Sequence, residues 1–383
     1  MKTMSSRADI AAAKRLVIKV GSSSLTSASG GLNSARLAQI IAAIANIKAA
    51  GKSVVLVSSG AVAAGLPALN LKTRPTELAQ QQAAASIGQG LLIAQYSTYA
   101  AAHNFPVGQV LLTQEDITRR SRYRNAKQTF ESLLQLGVLP IVNENDVVAT
   151  SELKYGDNDR IAALVTHLVD ADALLLLTDV PGLLDGPPDD PASKTIAELH
   201  SLADFAATGI DTNQRSKVGS GGMRSKLEAA SIAAAGGVPT LICHVDQLAA
   251  ALAGESIGTL FHATQSPSSA RSLWLAHASI SSGQLKLDAG AVSAVLDRGA
   301  SLLAAGVVEV AGEFDAGDPV DLIAPTGEVI ARGLAGFAND DLIKMSGKST
   351  QELAQLYGEE FARPAVHRDD LVLINPASNT LNS

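Results

Sequence analysis

The sequence predicts an α/β protein in two parts: a mainly parallel, open sheet sandwiched by helices, then a small β-rich domain. Three observations carry that prediction. Over roughly the first 260 residues, short apolar runs alternate with longer amphipathic ones, the pattern of strands and helices taking turns. The polar, turn-rich stretch ATQSPSSARS then reads as a linker. Beyond it, GQLKLDAGA, GASLLAAGVVEVAGEF and GDPVDLIAPTGEVIARGLAG are short strand patterns broken by Gly and Asp, compatible with a compact barrel. The expected division is 1–262 with a flexible 1–13, a linker over 263–282, a small domain over 283–370 and a tail over 371–383.

The elements follow in order. Arg15 to Val20 is a strand ending at Gly21, followed by a helix capped near Asn33 or Ser34. Leu37, Ile40, Ile41, Ile44 and Ile47 keep helical spacing in it, and Gly51 stops it. Val54–Val57, Pro106–Leu112, Val138–Val142, Ala173–Leu177 and Val238–Ile242 are further strands. Helices fit between them at Thr76–His103, Arg119–Leu136, Asn158–Val169 and Met223–Ala235. Continuous apolar strands separated by helices imply a parallel sheet covered on both faces.

Composition narrows the function classes. Hydrophobic residues make up 46% and aromatics only 3%, so Ala, Val, Leu and Ile must build the core. The single cysteine, Cys243, follows an apolar run and reads as a buried, inert thiol in a reducing compartment. No stretch reaches the roughly 20 apolar residues of a membrane span, and Asp9 interrupts the only leader candidate. A cytoplasmic protein is expected. Residues 283–383 hold 7 Lys+Arg against 15 Asp+Glu, a net −8, whereas the rest of the chain carries +1.

The familiar phosphate and redox motifs fail. Gly347-Lys348-Ser349 and Gly51-Lys52-Ser53 lack the first glycine of the Walker pattern, and no GxGxxG follows a strand. Both near-misses read as turns. The seven histidines show no metal-ligand spacing, so no built-in metal site is expected. No GxSxG elbow or Cys–His pairing suggests acyl hydrolysis.

Other junctions take their place. Lys19-Val20-Gly21-Ser22-Ser23-Ser24 and Ser58-Ser59-Gly60-Ala61 follow the first two strands, where free backbone N–H groups suit anions, although ordinary βα turns look the same. Lys19 inside a buried strand calls for an anionic partner. Val218-Gly219-Ser220-Gly221-Gly222-Met223-Arg224-Ser225-Lys226 has the form of a glycine lid running into a helix with a second lysine. Asn143-Glu144-Asn145-Asp146, Asp157-Asn158-Asp159 and Thr178-Asp179 add carboxylates, the first and last directly at strand ends. Two lysines, glycine loops and carboxylates at one sheet edge suit phosphoryl transfer.

IKVGSSSLT, VSSGAVAAG, LPIVNENDVVAT, YGDNDRIAALV, LLLLTDVPGLL and VGSGGMRSKLEAA resemble the successive blocks of the glutamate 5-kinases, in the amino-acid kinase superfamily. The segment from Gly283 through VHRDD resembles a PUA domain, and together these blocks span nearly the whole chain. The resemblance implies the amino-acid-kinase fold and transfer of a phosphoryl group from ATP, with Mg²⁺ carried by the nucleotide, to the γ-carboxylate of L-glutamate. It implies that Lys19 and Lys226 bind phosphates and that Asp159 orients them. Gly21 and Gly60 would admit backbone donors, while Ser59, Asp146, Asp157 and Asn158 would surround glutamate. Thr178, Asp179 and the segment Ser220, Gly221, Gly222, Met223, Arg224, Ser225, Lys226 would hold the nucleotide. Proline as inhibitor, a glutamate-5-semialdehyde dehydrogenase as downstream partner and a homodimer or tetramer follow from the same resemblance. Two departures stand out: GSS in the first loop where many members have GTS, and Arg224 in the lid. The alternatives are an acetylglutamate or uridylate kinase of the same superfamily, or RNA binding through the small domain. The −8 charge of that segment speaks against nucleic acid.

Overall fold

The computed structural model describes residues 6–26, 31–113, 116–117, 120–148, 157–187, 190–207, 222–263 and 281–374. It divides into two compact units, Met1–Asp116 with Ser121–Ser268, and Ile117–Arg120 with Ser269–Ser383. The proposed linker falls largely on 264–280, outside the described residues.

In the first unit, β1 (Arg15–Val20), β2 (Ser53–Ser58), β3 (Val107–Leu112), β4 (Leu139–Glu144), β5 (Ala173–Thr178), β6 (Glu198–Leu199), β7 (Thr240–His244) and β8 (Thr259–Phe261) form one sheet. Their order is β3-β4-β2-β1-β5-β7-β8-β6. Every ladder is parallel except β7–β8. All of β5 is buried, as are five of six residues in β1 and in β2, which is why these strands read as unbroken apolar runs. Strands β2 to β4 lie on one side of β1 and β5 to β8 on the other. Where winding reverses in this way, the carboxyl ends of the central strands open into a crevice.

Helices cover both faces. Ser34–Ala49 buries the five apolar residues picked out by their spacing, and the Asn33 side chain accepts from Arg36 N at its start. The helix Ala61–Gly65 meets Leu78–Ala101 backbone to backbone. A Cβ on Gly65 would stand 1.9 Å from Ala84 O, and one on Gly88 would stand 1.7 Å from Ala61 O. Only glycine permits that approach, and it anchors the turn that begins at Gly60.

Two expectations need correction. Within the stretch expected to be flexible, Arg7–Ala12 is a helix capped by Ser6, and Ile10 is fully buried. The apolar Ile10 among Ala residues gives that short helix a core-facing anchor. The last strand also continues to Leu373, past the expected end at 370, because Gly333, Arg332 and Ala331 pair with Leu371, Val372 and Leu373. The Walker-like near-misses are turns, with Gly51 and Gly347 both at φ +76°.

The second unit holds β9 (Gly283–Leu287), β10 (Val307–Gly312), β11 (Pro319–Ile323), β12 (Val329–Ala335) and β13 (Val366–Leu373), in the order β10-β9-β11-β12-β13. Its core joins Leu285, Val320 and Leu322 of the strands to Leu342, Met345 and Leu353 of two short helices. Asp321 and Arg332 face each other across β11 and β12 in a two-point ion pair of 2.7 and 3.3 Å.

Gly88→Ala should destabilise the chain by about 1–3 kcal/mol or more, the usual range for overpacking. Urea denaturation measures it; an unchanged midpoint would contradict the described helix contact.

Candidate active site

Lys19 lies in β1 between Val57 of β2 and Leu176 of β5. Side chains alternate along a strand, so Ile18 and Val20 enter the core on one face and Lys19 points to the other. There it meets Asp159 in the first turn of the helix Asp157–Leu168, Nζ to Oδ1 2.5 Å. Lys226, in the first turn of Met223–Ala235, approaches the other oxygen of the same carboxylate at 3.4 Å. Ser225 donates its hydroxyl to Asp159 Oδ2 at 2.7 Å. The two helices are tied further along, where the buried His167 Nε2 bonds to Ile232 O at 3.0 Å.

All three charges are buried: Lys19 is 4% exposed, Asp159 1% and Lys226 5%. Burial alone would raise the Asp159 carboxyl, but the two ammonium groups and the hydrogen bonds from Lys19 and Ser225 hold it far below the usual carboxylate range. Burial pushes Lys19 down from its ordinary value; Asp159 opposes that shift and Lys226 adds to it. With the carboxylate ionised and both lysines protonated the cluster carries one net positive charge. A buried charge costs several kcal/mol unless compensated, so the cluster is a ready receptor for an anion.

The other expected residues gather near the carboxyl ends of the central strands. Gly21 follows β1, and a Cβ there would lie 3.7 Å from Lys19 Nζ. Gly60 follows β2 at φ +96°, a conformation that requires glycine, and Ser59 N donates to Val20 O at 3.2 Å. Thr178 ends β5 and donates to Asp179 at 3.1 Å. Asp146, beyond β4, is half-buried; burial raises its carboxyl against the pull of Arg74 and a hydrogen bond from Gln89. Asn158 Oδ1 is buried with no hydrogen-bond partner among the described residues, an acceptor awaiting a donor. Asp157 opens its helix, while Ser220 and Gly221 lie outside the described residues.

Gly222 precedes the helix Met223–Ala235 in extended conformation, and Arg224 pairs with Glu228 one turn on at 3.0 Å, the two side chains 42% and 44% exposed. Three further residues contribute that the sequence does not single out. Gln89 sits on the buried stripe of Leu78–Ala101, accepts from Gln109 at 2.9 Å and from Asn143 at 3.4 Å, and donates to Glu144 O at 3.3 Å. An amide in register with Ala85 and Leu92 was its visible sign. Arg74 had none, since its place beside Asp146 depends on the fold. Asn143 stood in a quoted motif without a role.

Comparison with known proteins identifies the family. Residues 14–244 match the amino acid kinase family, and residues 283–357 match the PUA domain. The chain is 52% identical over 371 residues to the glutamate 5-kinase of Streptomyces avermitilis, covering 97% of this chain and 99% of that one. The chain belongs to the glutamate 5-kinase family. A second family member, from Salinispora arenicola, is 52% identical over 365 residues, covering 95% of this chain and 99% of its own. Among solved structures, carbamate kinase from Giardia lamblia bound to AMP-PNP shares 20% identity over 66% of this chain and all of its own, with a TM-score of 0.46, a likeness too weak to bear on function. The residues gathered around Lys19, Asp159 and Lys226 all lie within the matched span 14–244.

Asp159→Asn leaves two buried ammonium groups facing a neutral amide. Unfolding free energy should fall by about 3–5 kcal/mol, as when one partner of a buried ion pair is removed. Urea titration near neutral pH checks it, and a loss below about 1 kcal/mol, the value of a surface pair, would contradict the burial.

Proposed function

We propose that Lys19, Asp159 and Lys226 form the phosphoryl-transfer centre of an ATP-dependent glutamate 5-kinase, producing γ-glutamyl phosphate and ADP in the first step of proline synthesis. The buried cluster of two ammonium groups on one carboxylate is the observation that carries this conclusion. Relatives at about half identity over nearly the full chain favour glutamate over uridylate or acetylglutamate as acceptor.

The chemistry needs no general base. A glutamate side chain, with an ordinary pKa of about 4.3, is already a carboxylate at neutral pH. The barrier is bringing that anion to a polyanion. Lys19 and Lys226 neutralise charge on the transferring group, and Asp159 fixes both ammoniums so that no reorganisation is needed. Asp146 and the free Oδ1 of Asn158 suit the substrate ammonium, and family resemblance adds Ser59 and Asp157 to the glutamate-binding set. Gly21 and Gly60 admit backbone donors. Thr178, Asp179 and the run from Ser220 to Lys226 bind the nucleotide.

Mg²⁺, when bound with ATP, supplies further charge neutralisation. Asp159 is already engaged by two ammonium groups and the Ser225 hydroxyl, which disfavours a cation beside it. The fit is therefore to a metal held by nucleotide oxygens and water, as Mg²⁺ commonly is. Inhibition by proline, a dehydrogenase consuming the labile acyl phosphate, and assembly as a dimer or tetramer are supported by family resemblance. Among the described residues no helix is long and apolar enough to cross a membrane.

Hydroxylamine traps acyl phosphates, so glutamate- and ATP-dependent hydroxamate formation reads the reaction. Lys19→Ala and Lys226→Ala should each lower kcat by about 10²–10³-fold, the scale of losing one charge-stabilising donor. Near-normal turnover in either folded variant would overturn the assignment, and equal ADP release with uridylate in place of glutamate would overturn the acceptor.

A further inference from the structure

The histidines, unconnected by spacing in the sequence, are not all separate in the fold. Strands β6 and β8 run parallel with Glu198 opposite Leu260 and Leu199 opposite Phe261. The next residues in register are His200 and His262, and His262 N donates to Leu199 O at 2.8 Å, extending the ladder. In-register neighbours project to the same face, as do residues two apart on one strand. Glu198, His200 and His262 thus share one face. Their rings and carboxylate meet: the imidazoles stack with centroids 4.2 Å apart, and His262 Nε2 lies 3.0 Å from Glu198 Oε2.

We infer that Glu198, His200 and His262 form a binding site for a divalent transition-metal ion of the Zn²⁺ type, separate from the kinase residues. Their ligand atoms all lie within 4.8 Å of one another. Donors about 2.0–2.1 Å from a tetrahedral ion sit about 3.3 Å apart. The His262–Glu198 pair already meets that spacing. The rings are stacked at 14° and cannot both aim a nitrogen at one ion in that arrangement; His200 is exposed, so rotation out of the stack brings its nitrogen to the ion, and a water completes the shell.

The surroundings prepare the carboxylate. Arg7 holds Glu198 Oε1 at 3.3 Å while its guanidinium is anchored on the carbonyls of Ile257, Ala197 and Gly258. That leaves Oε2 turned to the histidine. The Arg7 charge weakens cation binding, and Asp204, whose carboxylate accepts from His200 N at 3.3 Å, offsets it in part. Two imidazoles and one carboxylate select Zn²⁺ and its neighbours over the all-oxygen preference of Mg²⁺. Such an ion would clamp the two-residue edge strand β6 to β8.

Calorimetric titration of the tag-free full chain with Zn²⁺, without nucleotide, tests the inference. One ion should bind, excess Mg²⁺ should not displace it, and Lys19→Ala should leave the affinity intact. His262→Ala and the near-isosteric Glu198→Gln should each weaken binding at least about tenfold, the scale expected when one of three protein ligands is lost. Absence of binding, or binding indifferent to both substitutions, would reduce the cluster to a His–Glu ion pair and overturn the inference. Binding lost in Lys19→Ala but kept in His262→Ala would overturn it too.

Discussion

Asp159 holds two lysines in the interior, and the structure around the crevice is arranged to make that possible. Its two oxygens are divided between Lys19 and Lys226, with Ser225 completing the shell. One carboxylate cannot neutralise two ammonium groups. The carboxylate is held well below its usual range and its donors are fixed, so in the proposed reaction the cluster would meet an incoming phosphoryl group without reorganising. Preorganisation of this kind is the largest single contribution in many phosphoryl and acyl transfers.

Three elements far apart in sequence deliver those charges. β1 is central, so Lys19 is flanked by β2 and β5 and cannot reach solvent by moving along an edge. The helices bearing Asp159 and Lys226 pack on the same face and are joined by His167 to Ile232. On the neighbouring strand end, the glycine contact between Ala61–Gly65 and Leu78–Ala101 fixes the turn at Gly60. The same long helix supplies Gln89, so packing and polar placement beside Asp146 come from one element.

Much of this was legible in the sequence, for physical reasons. A lysine between Ile18 and Val20 in a buried strand demanded an anion, and Asp159 is that anion. The strands β1, β2, β4, β5 and β7 announced themselves because a sheet covered on both faces must be apolar throughout. β6 and β8 did not: two and three residues give no periodicity, and their pairing reverses direction at β7–β8. The histidine pair was hidden for the same reason, since only register brings His200 to His262. Ile10 was overlooked because one buried side chain in a short helix has no repeat to reveal it. Arg74 depends on tertiary placement alone.

In the proposed reaction, net positive charge in the cluster, rather than either lysine by itself, would bind the nucleotide phosphates. Lys226→Met makes the cluster neutral, and adding Asp159→Asn returns it to one positive charge. ATP affinity of the two folded variants, measured by calorimetry, tests this most directly. The double variant should bind ATP more tightly than Lys226→Met alone. If it binds equally or more weakly, charge balance is not what the buried carboxylate controls.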